Sequence, residues 1–194
     1  MKKLMLKAGL SAILFAPLWA NQAYAADYKI DTEGAHAFVE FKIKHLGYSW
    51  LLGRFNSFEG DFSYDKKAPD DTKISVVIDT NSIDSNHAER DKHLRGKDFL
   101  DVKTFPTASF KSQSFTFNKD GVATVTGEFT LKGVTNTISF PVKEIGQGND
   151  PWGGYRAGFE GKTQLKLTDY NIAYDLGPAS SHVDIYLYIE GIKI

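Results

Sequence analysis

Alternation of apolar and polar residues dominates the chain beyond its first 25 residues. Between Ala37 and His45, Val39, Phe41, Ile43 and His45 fall on one face while Glu40, Lys42 and Lys44 fall on the other. This period of two marks a half-buried strand. Phe58, Gly60, Phe62 and Tyr64 alternate likewise with Glu59, Asp61 and Ser63, and Ile74, Val76 and Ile78 form a third apolar face behind the loop signal KKAPDD. Later strands are predicted at Ala108–Phe117, Val122–Leu131, Val134–Ile145, Tyr155–Leu167 and His182–Ile194. Asn118–Gly121 and Lys132-Gly133 supply tight turns between them, and Asp120-Gly121 tolerates positive φ. Pro141 cannot donate to a ladder and predicts an edge or bulge in its strand. In the last strand Val183, Ile185, Leu187 and Ile189 share a face, but beyond Gly191 the apolar set changes parity to Ile192 and Ile194, which predicts a bulge near that glycine. The sum is eight long, mostly hairpin-connected antiparallel strands, as a sandwich or a closed barrel. Closure removes the exposed edges, and about eight strands leave room for packed side chains or one small ligand.

One segment breaks the pattern. Asn86 and Glu89 have the form of a capping box, Asp91 and Arg95 make an acid-before-base pair at helical spacing, and Gly96 is a stop. A short helix is therefore expected from Asn86, after the third strand, with Phe105 before Pro106 returning the chain to extended structure. Only Ala88 and Leu94 are apolar within it, so it covers a barrel mouth instead of forming a core.

The first 25 residues carry Lys2, Lys3 and Lys7, an apolar run from Ala8 to Ala20, and Ala23-Tyr24-Ala25. They read as a signal peptide cleaved after Ala25, too short to span a membrane, with no cysteine for lipid anchoring. A single domain over residues 26–194 is expected, exported to the periplasm without stable membrane insertion. Losing three lysines takes the formal charge from −1 to −4, which argues against nucleic-acid binding. The absence of cysteine excludes disulfides, thiol nucleophiles and thiolate metal sites.

Candidate chemistry is sparse. His36, His45, His87, His93 and His182 show no metal-site spacing, no serine stands in a nucleophile elbow, and no carboxylate pair is singled out. An enzyme is not expected. His45 continues an apolar face and points inward, as a hydrogen-bonded core histidine or as a partner for a polar ligand group. The phenylalanines either fill the barrel solidly or line a tunnel; periodicity is the same for both.

HAFVEFKIKHLGYSWLLGRFNSFEGDF, NHAERDKHLRGKDF followed by FPTASF, and GEFTLKGVTNTISFPV resemble successive signatures of the YceI-like polyisoprenoid-binding proteins. The similarity extends to IGQGNDPWGGYRAGFEG and DLGPASSHVDIYLYIEG, and so over essentially the whole mature chain. The resemblance implies an all-β, lipocalin-like eight-stranded antiparallel barrel with a short helical insertion at one mouth. It also implies that the interior is a tunnel for an isoprenoid lipid, such as a polyprenyl phosphate or an isoprenoid quinone, held as ligand with no cofactor. A prenyl tail offers a large apolar area at about 25 cal/mol per Å². On this reading Val39, Phe41, Ile43, Phe58, Phe62, Val76, Ile78, Ile185 and Leu187 sheath the tail, with Phe99 and Phe105 anchoring the insertion. His45, Arg54, His93, Arg95 and Lys97 are the head-group candidates, and His45 and Arg54 rank first because they flank the HLGYSWLLG connection. Where many family members carry Arg-Ser-Asp-Phe, this chain has Leu167-Thr168-Asp169-Tyr170, so any role of that arginine is lost. The outward Tyr186 and Tyr188 are candidates for a homodimer interface or an interaction patch.

Overall fold

The computed structural model describes residues 25–118 and 121–194. The expected signal segment lies outside the described residues, as do Lys119 and Asp120 of the Asn118–Gly121 turn. The chain forms one antiparallel barrel of eight staves, three of them broken into two segments. β1 (Ala26–Ile30) and β2 (Phe38–His45) run one after the other along the last strand, β11 (His182–Lys193). β3 (Ser49–Phe55) and β4 (Phe58–Tyr64) make the second stave, and β5 (Lys73–Asp79) with the two-residue β6 (Ile83–Asp84) the third. The other staves are β7 (Thr107–Phe117), β8 (Val122–Leu131), β9 (Val134–Asn149), β10 (Tyr155–Lys166) and β11.

Closure depends on the shortest full strand. β1 pairs on one side with β4, Tyr28 opposite Phe62, and on the other with β11, Ile30 opposite Gly191. Its alternation explains why it fits: Tyr28 and Ile30 are buried while Asp27 and Lys29 face out. β3 occupies what the sequence suggests is a connection. Its tip, Leu46-Gly47, has both residues at positive φ, which lets β2 turn back immediately into a hairpin.

Gly191 carries no bulge. The β10–β11 register runs unbroken through it, so Gly191 keeps the inward parity of Val183 to Ile189. It is a glycine because the Phe62 ring lies against it: an added Cβ would collide with Phe62 Cε1. The extra residues lie instead at Ile145 in β9, opposite the Gly158–Phe159 step of β10, and at Gln113 in β7. The expectation at Pro141 holds, because β9 pairs with β10 only from Asn149 to Val142 and pairs with β8 alone beyond.

The helix α1 (Ala88–Leu94) starts later than the sequence suggests. Asn86 adopts a left-handed φ of 60° and its N–H donates to Asp84 Oδ1, so the cap moves to His87, whose Nδ1 accepts from Arg90 N. Asp91 turns inward, buried, and accepts from the N–H and hydroxyl of Ser85. Arg95 donates to the carbonyls of Asn81 and Ile83. The anticipated Asp91–Arg95 pair is thus replaced by two tethers that hold the helix over one end of the barrel.

Candidate functional site

The inward faces of the strands enclose a cavity of about 540 Å³, within the range usual for ligand pockets. Val39, Phe41 and Ile43 of β2 line it beside Leu187, Ile185 and Val183 of β11, their respective register partners. Val76 and Ile78 of β5 and Phe62 of β4 complete the wall expected from sequence, and His45, His93 and Phe99 stand at its open end. The later strands add Phe110, Phe115, Val125, Phe129, Ile138 and Phe140. Their alternation was visible in the sequence, where nothing distinguished a tunnel wall from a filled core.

Three expected contacts lie elsewhere. Arg54 sits opposite Glu40 on the outward face of the β2–β3 pair and is exposed, because Leu51, Gly53 and Phe55 take the inward parity of that strand. Phe58 packs against the main core cluster below the Asn56–Ser57 bend, and Phe55 takes the cavity-facing place. Phe105 lies outside the cavity with its ring against Gly133, whose φ of 75° closes the β8–β9 turn. Among the further head-group candidates, Arg95 is committed to backbone carbonyls, and Lys97 is exposed with its own carbonyl accepting from Lys132 Nζ.

The two ends differ in chemistry. At the floor, Tyr28 stacks on Phe62 at 4.8 Å, Phe62 and Tyr64 each meet Phe159 edge-on, and Tyr64 leans on Phe117. The Tyr64 hydroxyl donates to Glu144 Oε2 at 2.7 Å, and Lys66 approaches the same carboxylate at 3.6 Å. Burial first, and then the neighbouring Glu144, push the Tyr64 phenol well above its ordinary range, so it remains a neutral donor.

At the mouth, Lys44 and His45 from the end of β2 and Leu46 of the turn after it share the lining with Arg90, His93 and Leu94 of the helix and with Tyr174, Leu176 and Ser180 of the loop between β10 and β11. The His93 ring packs edge-on against Phe99 and Tyr174, and its Nε2 lies 3.5 Å from Asp98 Oδ2. Sequence reasoning missed the polar mouth residues Lys44 and Ser180 and, on the helix, Arg90. Its Nε and Nη2 donate to Ser85, which fixes the guanidinium at the rim. Its proximity to the mouth depends on the helix pose, for which the sequence has no signal. Leu167 lines the apolar wall, and Tyr170 is buried edge-on against Phe129.

A second polar cluster lies on the outer wall near the floor. Asp31, His36 and Glu190 bring possible ligand atoms within 4.8 Å of one another. The cation among them is the chain's own Arg156, whose Nη1 lies 2.6 Å from both Asp31 Oδ2 and Glu190 Oε1 while its Nε donates to Asp150. Hydrogen bonds from Arg156 and His36 hold the Asp31 carboxyl at about 2 against an ordinary 3.8. This is a partly buried ionic clasp between β10, β11 and the Asp31–Ala37 excursion. Elsewhere on the outer wall, Tyr186 packs beneath Lys162 and Lys42, and Tyr188 is partly exposed.

The model of the YceI-like domain matches residues 28–191. The chain belongs to the YceI-like family. It is 57% identical over 193 residues to a UPF0312 protein of Pseudomonas paraeruginosa, covering 100% of this chain and 99% of that protein. Its barrel superposes on that of Burkholderia cenocepacia BcnA with a TM-score of 0.73 at 23% identity, over 83% of this chain and 98% of that one. A polyisoprenoid-binding domain from Saccharophagus degradans, implicated in plant cell wall breakdown, shares the fold at a TM-score of 0.63 and 16% identity, over 88% of this chain and 99% of that one. The YceI-like barrel is therefore common to all of them, with the cavity described above as its interior in this chain.

Proposed function

We propose that the protein binds an isoprenoid lipid, with the prenyl chain in the cavity and the polar group at the mouth, and carries or stores it in the periplasm. The observation that carries this reading is the contrast between an apolar cavity and a mouth where Lys44, His45, Arg90, His93 and Ser180 gather. An apolar wall excludes water and takes a tail without demanding hydrogen bonds, and a few placed polar groups orient the head. The polyisoprenoid-binding domain of Saccharophagus degradans supports the isoprenoid class. The N-terminal Lys-rich, apolar, Ala-x-Ala segment supports export. A sheath for the tail removes its apolar area from water, and no catalytic group is required for that task.

The test is ligand loading with a wall variant. Purified protein stripped of lipid and offered a polyprenyl phosphate or an isoprenoid quinone should take up one molecule. Phe41→Glu places a carboxylate in the wall and should abolish uptake in a variant whose circular dichroism and export are unchanged. Normal uptake by that folded variant removes the cavity from the account. Cell fractionation checks the compartment: the protein should be released with the periplasm.

A further inference from the structure

The β2–β3 hairpin is built as though its tip were meant to stay apolar in water. Leu46 occupies the first central position of the turn with φ of 52°, where asparagine, aspartate or glycine is the favoured choice. A leucine there is strained, and such strain persists where a particular side chain is needed. Leu46, Tyr48, Trp50 and Leu52 are all exposed, Tyr48 at 88% and Leu52 at 64%. The tip is nevertheless held in place. Ser180 Oγ donates to the Lys44 carbonyl at 2.6 Å, tying the hairpin to the β10–β11 loop.

Charge accompanies the apolar groups. Lys42 Nζ lies 4.2 Å from the Trp50 ring centroid and Lys44 Nζ 5.5 Å from it. Further from the tip on the same outward face, Arg54 stands between Glu40 and Asp84 and Lys42 is opposite Asp184, so the acids lie away from the tip, where Lys44 pairs across with Trp50. Aromatic rings with lysines beside them suit the boundary between lipid headgroups and acyl chains. Lys44 and Leu46 also line the mouth of the cavity, so the patch and the opening are one continuous surface. We infer that this hairpin docks the barrel on a bilayer containing anionic lipid, with the four apolar side chains in the interface and the lysines on lipid phosphates, so that the mouth faces the leaflet. The inference rests on the cavity being a lipid site for its purpose, but docking is measurable without any ligand.

The opposite end supplies the control. Trp152, in the β9–β10 hairpin beside the floor, is 78% exposed and belongs to no mouth. Flotation of the purified protein with vesicles of phosphatidylcholine plus phosphatidylglycerol should show binding on the order of tenfold tighter than to phosphatidylcholine alone, and the gain should fall with salt. Trp50→Ala should weaken flotation about tenfold, whereas Trp152→Ala should leave it unchanged. The blue shift of tryptophan emission on vesicle addition should disappear in Trp50→Ala and persist in Trp152→Ala. No flotation of the wild-type protein overturns the inference, as does equal loss in the two variants, or a dimer in solution that buries Trp50. Lipid uptake, assayed separately in detergent, distinguishes failure of docking from failure of the cavity reading: retained uptake without flotation refutes docking alone.

Discussion

The floor and the mouth of this barrel are made from the same residue types and solve opposite problems. At the floor, Tyr28, Phe62, Tyr64, Phe117 and Phe159 meet ring to ring, and β1 is paired on both sides. At the mouth, the Phe99, His93 and Tyr174 rings also pack on one another, but they come from a seven-residue helix, the turns after it and an irregular loop. The floor is held by continuous strand pairing and is a stopper. The mouth is held by side-chain tethers such as Arg90 on Ser85 and Arg95 on Asn81 and Ile83, so its aromatics can part without unpairing a barrel strand. Stability should therefore sit at the floor and ligand exchange at the mouth.

The largest expected effect is at the floor. Phe62→Ala removes a buried ring that touches Tyr28, Phe159 and Gly191, and should cost about 3–5 kcal/mol in urea unfolding. Tyr174→Ala, at a partly exposed mouth ring, should cost less than about 1 kcal/mol and instead speed release of a loaded lipid. Equal stability losses at the two ends would break the comparison. Next comes the ionic clasp beside the floor. Asp31 titrates at about 2 in the folded chain and near 3.8 when unfolded, so the unfolded state takes up the proton first. Its contribution, about 2 kcal/mol, is fully present above about pH 4 and is lost as pH falls through about 2. Asp31→Asn should remove that amount at neutral pH and flatten the acid limb of the melting temperature below pH 4. A mutant whose acid limb parallels the wild type would show that the clasp does not set it. The smallest effect sharpens the floor: Tyr64→Phe deletes the bond to Glu144 and should cost about 1 kcal/mol, measured in the same urea titration.

Much of the wall was legible because a strand's period exposes its inward face directly. Alternation assigned Val39, Phe41 and Ile43 to the face of one strand and Val183, Ile185 and Leu187 to the face of another, and the structure brings the two sets together as β2–β11 partners. The breaks in the staves were not legible. β1 is five residues and β6 two, lengths at which alternation carries little information, and β3 has glycine and exposed leucine where a strand would show contrast. Arg54 was misplaced for that reason, since reading β3 as a connection left its facing undetermined. Parity misled at Gly191, where the missing side chain makes room for Phe62 and no extra residue enters the ladder. The mouth was hardest, because Arg90 and Tyr174 reach it through helix and loop geometry that no local period encodes. A tunnel and a solid core share one sequence pattern; the difference lies in the barrel's girth, which is set by long-range register.

Native mass spectrometry of the protein purified from its own compartment without detergent, followed by dissociation and identification of whatever leaves, decides whether the cavity holds a lipid. The expected species is a complex heavier than the chain by one isoprenoid lipid, released on activation and absent from Phe41→Glu. A folded protein that is ligand-free on isolation, and that stays so after incubation with polyprenyl phosphate and isoprenoid quinone, would contradict lipid binding in the cavity.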